Sequence, residues 1–184
     1  MNRGNLDLID YAIYFATKAH NGQKRKSDKE VDMIFHPYTV AMMIQRAGGT
    51  DNAVIAGVLH DVVEDTKYTL DDIRDEFGED IASIVSEVSE KKELEWNERK
   101  QEAIDRIRTA SLDGKIVECA DKVSNLETMY NLYEEIGEEI WNSFKRPKEK
   151  QKWYYTEMYK AVIENTTEKN ILFDRYKKIL EKLF

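Results

Sequence analysis

The sequence predicts an all-α fold, and three observations carry that prediction. Apolar residues recur at helical spacing through almost the whole chain, and no stretch sustains the apolar/polar alternation of a strand. Only 2 Pro and 8 Gly punctuate 184 residues, so long helices can run unbroken. At this length one domain with a substantial core is expected, spanning residues 1–184. A composition of 41% hydrophobic and 35% charged residues fits a soluble globular chain.

The elements follow in order. Leu8, Ile9, Ala12, Ile13, Phe15 and Ala16 give a helix over Asp7 to His20 that stops at Asn21-Gly22. A polar loop runs from Gln23 to about Asp32. Pro37 stands where helix-start prolines stand, and Val40, Ala41, Met43 and Ile44 carry that helix to Gly48-Gly49. Thr50 or Asp51 caps the next, Val54 to Thr66, in which His60, Asp61, Glu64 and Asp65 interrupt an otherwise apolar run. Thr69 and Asp72 suggest a capping box on a short helix that Phe77-Gly78 breaks. Ile81, Ile84, Val85 and Val88 form another helix, and Glu98 to Ala110 a charged, solvent-facing one. Ser111 to Gly114 reads as a turn. Ile116, Val117, Cys119, Ala120, Val123 and Leu126 then mark an apolar helix bearing Asp121 and Asn125, and two helices broken near Asn165-Thr166-Thr167 complete the chain.

Charge narrows the partners. A formal net charge of −8 opposes binding of nucleic acid by bulk electrostatics. Lys24, Arg25, Lys26 and Lys29 against Asp28 nevertheless make a compact basic loop suited to a small polyanion, and Lys145 to Lys152 forms a second basic segment. A single Cys excludes a disulfide framework, and Cys119 reads as a buried small hydrophobe. The N-terminus has no basic region followed by an apolar stretch, and no segment is apolar enough to span a bilayer. A cytoplasmic protein without a membrane partner is expected; the oligomeric state, a homo-oligomer included, stays open.

Carboxylates and imidazoles among valines and leucines must be paired or bound to a metal. The chain has 3 His. His36 opens one helix, His60-Asp61 lies near the end of another, and Asp121 lies on a third. Two imidazoles and two carboxylates without a thiolate suit Mn²⁺, Fe²⁺ or Zn²⁺, and the oxygen share leans towards Mn²⁺. Such an ion acidifies water and screens phosphoryl oxygens. Glu64 and Asp65, one turn on, are placed to orient or deprotonate that water. His20 reads as a helix-end residue, and Arg99 and Lys100 as solvated. Trp153, Tyr154 and Tyr155 read as core, with the Tyr154 hydroxyl reaching the cleft.

His20-Asn21-Gly22-Gln23-Lys24-Arg25-Lys26, His36-Pro37, Leu59-His60-Asp61-Val62-Val63-Glu64-Asp65-Thr66, Ala120-Asp121-Lys122 and Asn125 resemble the ordered motifs of HD-domain hydrolases. In detail they are similar to the hydrolase domain of the RelA/SpoT homologues, which degrade the alarmones ppGpp and pppGpp. The resemblance implies that His36, His60, Asp61 and Asp121 bind Mn²⁺, and that Glu64 and Asp65 act on the attacking water. It also implies that pyrophosphate leaves the 3′ position. Arg25 matches the arginine beside the guanine base, and Lys26, Ser27, Asn125 and Thr128 match residues lining the nucleotide pocket. No length remains for a synthetase region, so a stand-alone small alarmone hydrolase acting on a guanine nucleotide polyphosphate is expected. Ser124 and Glu127 depart from the pattern, as does the loop after Lys26 with its Asp28, Glu30 and Asp32. These departures keep two alternatives in view: another nucleotide (an adenosine alarmone, a nucleoside monophosphate or NADPH), or a sensor without turnover, which the Glu64/Asp65 pair argues against.

Overall fold

The computed structural model describes Gly4 and residues 7–184. Of the first ten residues, in which no leader is expected, residues 1–3, 5 and 6 lie outside the described ones. Helices α1 (Leu8–Ala19), α2 (Phe35–Arg46), α3 (Asp51–Leu59) and α4 (Val62–Asp65) carry the first half, followed by α5 (Leu70–Phe77) and α6 (Glu79–Val88). Helices α7 (Trp96–Thr109), α8 (Leu112–Ile136), α9 (Lys148–Ile163) and α10 (Ile171–Leu183) complete the fold, with a 3-10 segment over Gly137–Ser143. Among the described residues the strand-like pairing is one isolated bridge, Lys24 to Asp32, across the basic loop. No helix of the described residues is long and apolar enough to cross a membrane.

Helix α3 is the centre. Every residue from Ala53 to Leu59 is buried, as for a helix apolar all round. It packs against α1, α2, α6 and α8, while α8 also takes α9 and α10 on its flank. Close approach of α2 and α3 needs Gly57: a Cβ there would meet Ile44 Cδ1 at 2.6 Å and Ala41 Cα at 3.4 Å. That contact brings the first turn of α2, with His36, beside the end of α3, with His60.

Caps decide most helix ends. Thr69 and Asp72 form the expected reciprocal box at α5. Gly78, at φ 89°, serves as both the end of α5 and the start of α6, in a conformation glycine adopts without penalty. Asn165, at φ 56°, lies in the break between α9 and α10.

Three expectations need correction, and one element is new. Val54 to Thr66 is not one helix, because α3 ends at Leu59 and His60-Asp61 form a turn before α4. Ser111 to Gly114 is not a free turn. The Ser111 hydroxyl accepts the Gly114 N–H at 3.0 Å, so the four residues are the capped start of the 25-residue α8. Helix α2 begins two residues before Pro37, whose missing N–H falls in the first turn, where no intrahelical acceptor exists. The 3-10 segment after α8 was not anticipated.

Candidate active site

The turn that ends α3 aims His60 and Asp61 at one point. His60 Nδ1 donates to the Gly57 carbonyl at 2.8 Å, which leaves Nε2 as the outward nitrogen. His36, in the first turn of α2, uses Nδ1 against the Ser124 hydroxyl of α8 at 3.1 Å, again leaving Nε2 inward. Asp121, one turn before Asn125 on α8, brings Oδ1 to 2.8 Å from His36 Nε2 and 3.8 Å from His60 Nε2. Asp61 Oδ2 lies 3.4 Å from His60 Nε2 and 3.9 Å from His36 Nε2. The donor atoms of His36, His60 and Asp121 all fall within 4.8 Å of one another.

His60 Nε2 is buried without a hydrogen-bond partner. A lone buried nitrogen facing two carboxylates suits a divalent cation, and the donor set, free of sulfur, fits a first-row ion. Burial alone would raise the Asp121 carboxyl, but Lys122, His36 and His60 hold it well below the usual carboxylate range. Burial likewise works against the His60 imidazolium, and Asp61 and Asp121 overcome it to raise its pKa. Lys122 Nζ contacts Asp121 Oδ2 at 2.6 Å and Glu118 Oε1 at 3.0 Å, and Asn125 Nδ2 donates to Asp121 Oδ1 at 2.6 Å.

Beyond this cluster lies the pair on α4. Burial, with Asp61 and Glu90 adding repulsion, pushes Glu64 up to about 7, although the Glu90 N–H donates to its Oε1 at 2.8 Å. Lys92 donates to the Glu64 carbonyl at 2.6 Å and also contacts the Asp65 carboxylate. The two carboxylates thus sit in unlike surroundings, one desolvated and one ion-paired.

All of these side chains line one cavity of about 990 Å³, except Lys92, Glu118 and Ser124. The basic loop contributes Lys24, Arg25, Lys26 and Ser27, and α8 contributes Asn125 and Thr128. Met129, Leu132, Ile136, Ile140 and Phe144 add an apolar stretch of lining. The cavity therefore offers carboxylates and imidazoles, cations and an apolar surface together, a lining matched to a nucleotide carrying several phosphates.

Two readings of side chains change. Tyr155, not Tyr154, lines the cavity. The Tyr154 ring is buried against Lys100 Nζ at 4.2 Å, and its hydroxyl donates to Glu90 Oε1 at 3.3 Å. Successive residues on a helix point about 100° apart, so α9 presents only one of the pair to the cavity. Nor are Arg99 and Lys100 solvated: Glu90 pairs with them at 3.1 and 2.5 Å, and burial lowers the Lys100 pKa. Glu127 faces away from the cavity lining and makes a bidentate pair with Arg175 of α10 at 2.6 and 2.7 Å. Cys119 is buried, and His20 ends α1, as read from the sequence.

Sequence reasoning took Ser124 only as a departure from the family pattern and passed over Lys92. Ser124 lay within view, one turn before Thr128 on the face that carries Asp121. Lys92 gave no signal, since only the fold brings the segment after α6 beside α4.

Comparison with known proteins agrees with the geometry. The HD domain family matches residues 12–145. Guanosine-3′,5′-bis(diphosphate) 3′-pyrophosphohydrolase MESH1 of Xenopus tropicalis is 40% identical over 124 residues, covering 66% of this chain and 69% of that protein. A solved structure of lmo0812 from Listeria monocytogenes EGD-e is 37% identical, with a TM-score of 0.74 over 81% of this chain and 93% of that one. A second, described as a metazoan ortholog of SpoT that hydrolyzes ppGpp, is 27% identical, with a TM-score of 0.78 over 97% and 98%. Since the family match spans all four clustered residues as well as Glu64 and Asp65, the chain belongs to the HD-domain family.

Proposed function

We propose that this chain, working as one domain over residues 1–184, hydrolyses ppGpp and pppGpp at the 3′ position to GDP or GTP and pyrophosphate. The observation that carries the reading is the convergence of His36, His60, Asp61 and Asp121 in a cavity whose lining also holds Glu64, Asp65 and the Lys24–Ser27 loop. The similarity to proteins named for this reaction supports it. His36, His60, Asp61 and Asp121 would hold the cation, with Mn²⁺ favoured by two oxygen and two nitrogen donors. When bound, the ion supplies Lewis-acid stabilisation of phosphoryl charge.

The protein's own groups do the rest. Arg25, Lys26 and Ser27 hold the nucleotide from the loop, with the Arg25 guanidinium suited to the base and to phosphate. Asn125 and Thr128 present hydrogen-bonding groups from α8. Glu64, the more buried carboxylate of the pair, accepts a proton from the attacking water. Asp65, ion-paired to Lys92, orients that water. The P–O bond to the 3′ oxygen breaks, the water oxygen stays on the pyrophosphate, and the 3′ oxygen takes up a proton. A nucleotide substrate fits the cytoplasm as its setting.

One observation favours a second reading, an HD phosphohydrolase of another nucleotide. Lys24, in the basic loop, is paired with Asp32 at 2.8 Å rather than free for phosphate. Incubation of the purified protein and Mn²⁺ with ppGpp, followed by ³¹P NMR, separates the two. Equimolar GDP and pyrophosphate support the proposal. Orthophosphate, or a preference for adenosine alarmones, NADPH or monophosphates, replaces it with the second reading.

A further inference from the structure

The motif His20-Asn21-Gly22-Gln23 contributes no group to the chemistry above, yet His20 is buried and Gln23 lines the cavity. His20 is 3% exposed at the end of α1, and its Nδ1 lies 2.8 Å from Gln23 Oε1. With the carboxamide oxygen so engaged, Gln23 Nε2 donates across 42 residues of sequence to the Asp65 main-chain carbonyl at 2.7 Å. Gly22, at φ +78°, turns the chain between them.

The acceptor matters. Asp65 is the last residue of the four-residue α4, so its carbonyl has no partner within the helix. The neighbouring Glu64 carbonyl meets the same need with Lys92. Gln23 is also the first cavity-lining residue of the loop that bears Arg25 and Lys26, and its own carbonyl accepts the Met33 N–H at 2.9 Å, closing that loop. One carboxamide therefore joins the nucleotide loop to the turn that carries Glu64 and Asp65.

We infer that His20 and Gln23 are positioning residues: His20 fixes the Gln23 amide, and Gln23 sets Asp65 relative to the nucleotide loop. The inference rests on the hydrolase reading for its kinetic test but not for its spectroscopic one. A brace of this kind acts on the geometry of attack more than on binding. Misplacement by about 1 Å is enough to cost on the order of 100-fold in rate.

Gln23→Met keeps the length of the side chain and removes both hydrogen bonds. It should lower kcat by about 10- to 100-fold while KM for ppGpp stays within about threefold. His20→Phe, which frees the Gln23 amide to rotate, should give a smaller loss of the same kind, and the double variant should be no slower than Gln23→Met alone. In the metal-free wild type, ¹⁵N NMR should show His20 protonated at Nδ1, and Gln23→Met should abolish that preference. A higher KM at unchanged kcat would reduce Gln23 to a loop tether and overturn the inference. Additive losses, or a His20 tautomer indifferent to Gln23, would overturn it as well. If the parent itself does not turn over ppGpp, the hydrolase reading fails while the tautomer measurement still decides the brace.

Discussion

Ser124 shows how a single hydroxyl can set a site. It fixes His36 through Nδ1 and so leaves Nε2 facing Asp121. Outer partners of metal-binding imidazoles govern ring orientation, and losing one costs about 10- to 100-fold in metal affinity. Ser124→Ala should weaken Mn²⁺ binding by that factor in calorimetry with the fold intact, whereas unchanged affinity would show that packing alone orients His36. Glu64 gives a pH prediction for the metal-free protein. Its folded pKa, about 7, lies above that of an unfolded glutamate, so the folded state binds the extra proton. Stability from this residue is therefore present at low pH and lost as pH rises from about 4.5 through about 7. Glu64→Gln, which can still accept the Glu90 N–H, should raise Tm relative to wild type at pH 8 and leave it unchanged at pH 4. Equal differences at both pH values would contradict the burial argument.

Among the elements, α8 both carries Asp121 and anchors α10. Its Glu127 is engaged by Arg175 and is not among the residues lining the cavity. Glu127→Ala should leave KM for ppGpp unchanged and cost no more than about 1 kcal/mol in unfolding free energy, as for a partly exposed pair. A several-fold fall in KM would place that carboxylate near the phosphates after all. The helices themselves were largely legible, because their periodicity, the Thr69 box and the Phe77-Gly78 break are local signals. The start of α8 was not: Gly114 suggested a turn, while the decisive cap also depends on Glu87 of α6, which accepts from both the Ser111 N–H and hydroxyl. That His36, His60 and Asp121 come together could be expected from residue type and order. Lys100 was misread although it shares the helical face of Ala103, Ile104 and Ile107, since its counterion Glu90 comes from another segment. Tyr154 and Tyr155 could not be told apart by pattern, because both are buried and only the angle of α9 decides which meets the cavity.

For the molecule as a whole, the cavity draws on residues from Gln23 to Tyr155, so it exists only once distant segments have packed. A net charge of −8 coexists with a basic loop at the cavity, and the proposed binding of a small polyanion rests on that local charge. Because the four donor groups come together only in the folded chain, cation binding should also stabilise it by mass action. The most direct measurement is anomalous diffraction from crystals soaked in Mn²⁺. The account predicts one strong peak within coordinating distance of His36 Nε2, His60 Nε2 and the Asp61 and Asp121 carboxylates, lost in His60→Ala. Mn²⁺ bound elsewhere with these four side chains free, or a peak that survives His60→Ala undiminished, would contradict it.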